Sequence, residues 1–226
     1  MGNLIETKKQ SERTLLVCFS VKGDYVEIVA VDQCIIDKVF NYRYHPCPNR
    51  DGNTMAELTT ILTQDDLKKI IASLAQRISS DYDGRELLCI GVLKGAFIFM
   101  ADLVRKLTVP VKMDFLKASS YGTGTVSSGR PRVTGDIDMA VDGKDLLLVE
   151  DIVDTGITVK RIVDHLKTLR PKSVKICALI DKQERRDIQV SIDYAGYVAN
   201  GGFLVGFGLD YAEMYRNLPG IFQLNS

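Results

Sequence analysis

An α/β fold, a central parallel sheet flanked by helices, is what this sequence predicts, and three observations predict it. Continuous apolar runs read as buried strands: ELLCIGVL (Glu86–Leu93), DLLLVE (Asp145–Glu150) and VKICALID (Val174–Asp181). Amphipathic helical patterns alternate with them, which indicates a parallel sheet covered on both faces. Polar groups follow the strands, at Lys94, Glu150-Asp151, Lys182 and Asp210. Sheets of this kind bind ligands beyond the carboxyl ends of their strands.

The elements are taken in chain order. TLLVCFSVKGDYVEIVAV (14–31) holds two β-rich runs flanking Lys22-Gly23-Asp24, a hairpin signal. NYRYHPCPNRDGNT (41–54) is rich in turn formers and reads as a linker, with a new segment starting at Met55. The expected division is therefore an N-terminal extension, 1–54, and a main domain, 55–226. Thr63 can cap a helix whose apolar face is Leu67, Ile70, Ile71, Leu74 and Ile78, with Asp65 and Asp66 near its positive end. Strand Glu86–Leu93 stops at Lys94-Gly95. Helix AFIFMADLVRKL (96–107), strand VKMDFLKAS (111–119) and a Gly/Ser-rich loop, Ser120–Val133, come next. After strand 145–150, Val159, Ile162, Val163, Leu166 and Leu169 form one helix face. Strand 174–181, the charged turn KQERRD, and late strands IDYAGYVA and FLVGFGLD complete the chain.

Composition narrows the function classes. The 226 residues carry 29 basic and 29 acidic side chains and are 46% hydrophobic, enough for one full core with or without an appendage. Balanced charge gives no reason to expect nucleic acid. The five cysteines are scattered without a CxxC pair, so neither structural zinc nor a thioredoxin-like motif is supported. His45 and Cys47 are close but lack a second pair. The polar opening has no apolar signal region, Glu6 stands where myristoylation wants Ser or Thr, and Lys94 and Asp102 interrupt the longest apolar run. The expected location is a reducing cytoplasm, with no membrane contact.

The chemistry concentrates in DLLLVEDIVDTGITVKRIVDHL (145–166). Strand Leu146–Val149 delivers Glu150 and Asp151 to the ligand edge. Asp154-Thr155-Gly156-Ile157-Thr158 then forms a tight turn into a helix, whose unpaired N–H groups and dipole suit a phosphate. Carboxylates beside a phosphate repel it unless something intervenes. Sugar hydroxyls and a hard cation such as Mg2+ resolve the conflict, so the site suits a phosphorylated polyol with a metal. Ordinary capping explains a lone D-T-G-x-T equally well. The full VEDIVDTGIT between strand and helix is more specific.

That stretch resembles the 5-phosphoribosyl-1-pyrophosphate (PRPP) signature of type I phosphoribosyltransferases. GVLKGAFIFMADL, SSYGTGTVSSG, LIDKQERR and FLVGFGLDYAEMYRNLP also resemble, in order and spacing, the hypoxanthine-guanine phosphoribosyltransferase family, particularly its bacterial-type members. The resemblance covers about 56–224 and not 1–54. It implies the type I phosphoribosyltransferase fold with a small hood, a dimer or tetramer, and purine salvage: PRPP plus hypoxanthine or guanine giving IMP or GMP. Glu150 and Asp151 would bind ribose and Mg2+, with Asp210 near the metal and pyrophosphate. Asp154 would be the base at the purine imidazole ring. Thr155, Gly156, Ile157 and Thr158 would cradle the 5'-phosphate. Lys94, Gly95 and Arg216 would hold pyrophosphate, a cis peptide often preceding that lysine. Ser120 and Tyr121 would belong to a closing loop. Lys182 would donate to the 6-oxo group, Phe203 would stack on the base, and the Leu204 backbone would read its edge. Two departures stand out. Ile157 occupies a variable position, and Gly201-Gly202 replaces a proline-containing turn at the hood, leaving base preference open.

Taken singly, Lys94 reads as a surface lysine, KQERRD as a solvated turn and Phe203 as core. His165 lies off its helix's apolar face and His45 in the linker, so no histidine is placed to act as base. Three other readings compete: a xanthine-preferring relative, a PRPP-synthesising enzyme, which would need a longer duplicated chain, and an RNA-binding regulator on the same fold, which would want a basic patch.

Overall fold

The computed structural model describes Phe19–Lys22, Tyr25–Ile28, 57–119, 132–134 and 137–225. The chain divides into two compact units, Met1–Met55 and Ala56–Ser226. In the first, β1 (Phe19–Lys22) and β2 (Tyr25–Ile28) pair antiparallel, Phe19 opposite Ile28 and Lys22 opposite Tyr25. This is the expected hairpin. The expected linker, 41–54, lies outside the described residues.

The second unit opens with β3 (Leu58–Leu62) and α1 (Gln64–Asp81). Thr63 and Asp66 close a reciprocal capping box: the Asp66 amide donates to Thr63 Oγ1 at 3.2 Å and the Thr63 amide to Asp66 Oδ2 at 3.0 Å. There follow β4 (Leu87–Leu93), α2 (Phe97–Val104), β5 (Val111–Ser119), β6 (Arg132–Thr134), β7 (Asp145–Val153), α3 (Ile157–Thr168), β8 (Ser173–Lys182), β9 (Tyr194–Ala199), β10 (Phe203–Val205) and β11 (Ile221–Leu224). The main sheet runs β6-β5-β4-β7-β8-β9, parallel throughout except for the antiparallel edge pair β5–β6.

Strand alternation builds the core on both sheet faces. Leu147 and Val149 of β7 join Cys89, Phe99 and the buried face of α1 (Leu67, Ile71, Leu74, Ile78). Leu146 and Leu148 point the other way, joining Ile90, Ala178 and the α3 residues Val159, Ile162 and Leu166. A small antiparallel sheet, β10-β11-β3, forms the hood.

Several element bounds differ from the sequence reading. The loop expected over Ser120–Val133 ends in β6, where Arg132 pairs with Ser119. β7 runs on to Val153, so Glu150 and Asp151 lie within the strand rather than beyond it. The helix over 96–107 is shorter, 97–104, and FLVGFGLD is a strand only at Phe203–Val205 before the chain turns. Among the described residues no helix is long and apolar enough to cross a membrane.

Candidate active site

The carboxyl ends of β4 and β7, the start of α3 and the segment after β10 enclose a cleft of about 660 Å3. It gathers Lys94, Gly95, Glu150, Asp151, Asp154, Thr155 to Thr158, Asp210 and Arg216. Ser120 and Tyr121 lie outside the described residues.

β4 ends in a cis peptide between Leu93 and Lys94. Next to it, Gly95 packs so closely on β7 that a Cβ there would fall 1.9 Å from Asp151 Oδ2. Only glycine permits this approach of β4 to the acidic pair. Glu150 is buried and its Oε2 has no hydrogen-bond partner. Burial, and secondarily Asp151, push the Glu150 carboxyl well above its usual range. Burial pushes Asp151 up to about 6, although backbone N–H groups of Ile152 and Asp151 and the nearby Arg216 favour its charged form.

This pair fits a divalent cation. Hard carboxylate oxygens lie together, one of them orphaned, and the protein undercompensates their charge. Among the described residues no three His, Cys, Asp or Glu side chains could hold a metal by themselves. Asp210 is otherwise engaged: Oδ1 lies 2.7 Å from Arg216, and Oδ2 accepts from the Glu213 amide at 2.9 Å. Substrate oxygens and water would therefore complete any coordination shell.

The turn after β7 is held from outside. Gly156, at φ +81, caps α3, and a Cβ there would meet the Ile188 carbonyl at 2.3 Å. The Thr155 carbonyl accepts from the amides of Asp187 and Ile188, both at 3.0 Å. Arg186, which the sequence reading left in a solvated turn, is partly buried, with its side chain only 7% exposed. It donates to the carbonyls of Asp154 (2.8 Å), Val153 (2.9 Å) and Lys182 (3.2 Å), and to Asp181 Oδ1 at 2.5 Å. The first residues of α3, whose amides lack intrahelical partners, line the cleft from this clamped turn, the Ile157 amide donating to Thr155 Oγ1 at 3.3 Å.

Lys182, Phe203 and Leu204 lie outside the lining of that cleft. Lys182 is buried at the end of β8, its Nζ 3.9 Å from Asp154 Oδ2 and 4.0 Å from Glu184 Oε2. Asp154 Oδ1 is buried without a partner. Phe203 is half exposed and meets Tyr211 edge-on, with centroids 5.5 Å apart. Leu204 is buried, opposite Gln223 in the hood. Glu213 is a further cleft residue that sequence reasoning missed. It ion-pairs with Lys94 at 3.0 Å. No local signal marks its contact with Lys94, which lies 119 residues away.

Comparison with known proteins places this arrangement. Residues 57–212 match the phosphoribosyl transferase domain family. The chain is 44% identical over 169 residues to a hypoxanthine-guanine phosphoribosyltransferase of Aquifex aeolicus, covering 74% of this chain and 95% of that protein. It is 45% identical over 159 residues to the bifunctional protein TilS/HprT of Listeria monocytogenes, covering 70% of this chain and 24% of that longer protein. Among solved structures, a hypoxanthine-guanine phosphoribosyltransferase of Bacillus anthracis superposes with a TM-score of 0.69 at 38% identity, covering 76% of this chain and 99% of that one.

Proposed function

Because the chain belongs to the phosphoribosyl transferase domain family, we propose that it transfers the 5-phosphoribosyl group from PRPP to hypoxanthine or guanine, giving IMP or GMP and pyrophosphate. One observation carries the choice of substrate. A buried lysine, Lys182, sits 3.9 Å from Asp154, and Asp154 immediately precedes the anion-binding turn of α3. A phosphorylated sugar on that turn puts an aromatic base within reach of both groups.

Each residue then has a task. The α3 N–H groups and Thr155 to Thr158 hold the 5'-phosphate. Glu150 and Asp151 accept from the ribose hydroxyls and hold Mg2+, with Asp210 on the pyrophosphate side. The metal, when bound, neutralises the leaving pyrophosphate. Lys94 and Arg216 add positive charge where that group departs, and Gly95 leaves it room. The purine ring nitrogen bonds to the anomeric carbon as the bond from that carbon to the pyrophosphate oxygen breaks, intact pyrophosphate leaves, and Asp154 takes the proton of the imidazole ring. Lys182 donates to the 6-oxo oxygen, Phe203 stacks on the base and the Leu204 backbone meets its edge. Adenine presents an amino donor to Lys182, leaving a buried donor without an acceptor, so it is rejected. Ser120 and Tyr121 belong to the segment assigned to closure. The same reading carries a cytoplasmic location and a homodimer or homotetramer.

Steady-state turnover with PRPP, Mg2+ and each of hypoxanthine, guanine, xanthine and adenine tests this. Hypoxanthine and guanine are expected to react and adenine to fail. Turnover of adenine alone, or of no purine, removes the reading. Xanthine as the best substrate would make this the xanthine-preferring relative.

A further inference from the structure

The roles above leave Glu213 without one. Its Oε2 accepts from Lys94 Nζ at 3.0 Å and from an Arg216 terminal nitrogen at 3.3 Å. These are the two cations assigned to pyrophosphate, so a single carboxylate oxygen already bridges them.

The backbone and side chain of Glu213 are held very differently. Its amide donates to Asp210 Oδ2 at 2.9 Å, and the flanking Tyr211 and Met214 exchange backbone hydrogen bonds at 3.2 and 3.0 Å. Glu213 itself takes φ +65, a conformation L-residues rarely adopt and one the surrounding turn imposes. Its side chain is 65% exposed, and so in large part is Lys94 at 67%. Water can replace each partner with little loss. Arg216 is anchored independently. It donates to the Gly208 carbonyl at 2.7 Å and pairs with Asp210 Oδ1 at 2.7 Å, so it keeps its place when Glu213 leaves. Arg216 also lines the cleft, and its Nε is buried without a partner.

We propose that Glu213 is a displaceable counter-anion of the pyrophosphate subsite. It neutralises Lys94 and Arg216 between turnovers and is pushed aside by the pyrophosphate group of PRPP or of the departing product. This rests on the function proposed above. Its consequence is a pyrophosphate subsite weaker than its cations alone would make it. Entering pyrophosphate must replace existing ion pairs, and leaving pyrophosphate is followed into place by the carboxylate. Glu213 thereby favours product release.

The test is calorimetric titration of the full chain and of Glu213→Gln with pyrophosphate, with and without Mg2+. Product-inhibition kinetics against PRPP run in parallel. Glu213→Gln is expected to bind pyrophosphate about threefold to tenfold more tightly. The gap should narrow at high salt, because the pairs that Glu213 offers are exposed. Glu213→Ala should shift in the same direction. Binding of IMP should not change, since the 5'-phosphate is held by α3. Equal or weaker pyrophosphate binding in both variants overturns the proposal and makes Glu213 a positioning residue for Lys94 or an idle pair. A wild-type chain that neither binds pyrophosphate nor turns over an oxopurine removes the functional reading and this proposal together. A wild type that binds it, with variants no tighter, removes this proposal alone.

Discussion

Three carboxylates stand within five positions of one another, and the structure separates their surroundings enough to separate their effects. Glu150 and Asp151 face ribose and metal in the proposed assignment, contacts present before reaction as well as during it. Glu150→Gln and Asp151→Asn should mainly raise KM for PRPP and the Mg2+ requirement. Asp154 has a buried unpartnered Oδ1 and, in the proposed assignment, acts on the base as the new bond forms. Asp154→Asn should mainly lower kcat, by about 10²-fold, the lower end for loss of acid–base help. Steady-state kinetics with PRPP and Mg2+ varied decide this, and full kcat in Asp154→Asn would leave that residue a turn-former only. Lys182→Met should weaken oxopurine binding by about 1.5–3 kcal/mol, roughly 10- to 150-fold, and erode discrimination against adenine. Unchanged hypoxanthine and guanine kinetics would take Lys182 out of the site. The carboxylate, lysine and Gly-Thr positions that the structure brings to or beside the cleft could be picked out as candidates in sequence because each lies near a strand end or a helix start. Arg186 and Glu213 could not. Each has local partners, but the contacts that tie them to the cleft, with Val153 and Lys94, reach 33 and 119 residues away, and no local periodicity records those.

Elements are joined here by a few buried charges. Arg186 ties the turn between β7 and α3 to the end of β8, and so links the turn proposed to cradle phosphate to the lysine proposed to read the base. Arg186→Lys keeps the charge but loses the planar fork that reaches four acceptors. It is expected to lower kcat/KM by roughly tenfold to a hundredfold, with both kcat and the base KM affected, while near-ultraviolet dichroism stays native. Kinetics like wild type would show that the turn holds itself. At the opposite sheet edge, Asp145 opens β7 and is buried, accepting from Ser173 Oγ at 2.5 Å and Lys172 Nζ at 3.1 Å. Burial alone would raise its carboxyl, but the Ser173 and Lys172 hydrogen bonds and the neighbouring cations outweigh it and hold it below the usual range. A depressed folded value stabilises above the unfolded value, roughly 3.9, and the contribution fades as pH falls through the folded one. Asp145→Asn should therefore cost about 1–3 kcal/mol at neutral pH, and urea titrations should show the two proteins converging in acid. A constant difference from pH 7 to 3 would assign the loss to packing. The parallel strands and their helices were readable because each βα unit is local. β3 and β11 were not: LTTIL and IFQL are short and do not alternate cleanly, and they pair with each other only across the length of the unit.

Over the whole molecule, both core clusters and every described site residue belong to Ala56–Ser226. A chain beginning at Met55 is accordingly expected to fold and keep its turnover. Insolubility or inactivity of that shortened protein beside an active full chain would make the β1–β2 hairpin part of the working fold. The hood adds a consequence in time. β11, the middle strand of β10-β11-β3, is Ile221–Leu224, and the amide of Asn225 beyond it donates to the Glu57 carbonyl at 2.9 Å. During synthesis β3 emerges at the start of this unit and must wait for residues 221–224 before it can pair with β11. Every strand of the six-stranded sheet, with the turn proposed to hold the sugar phosphate, leaves the ribosome earlier. On the proposed roles, a nascent chain holds its phosphate turn while the sheet assigned to the base is still missing its centre. In the order of manufacture, the proposed grip on the sugar then precedes the proposed selectivity for the base.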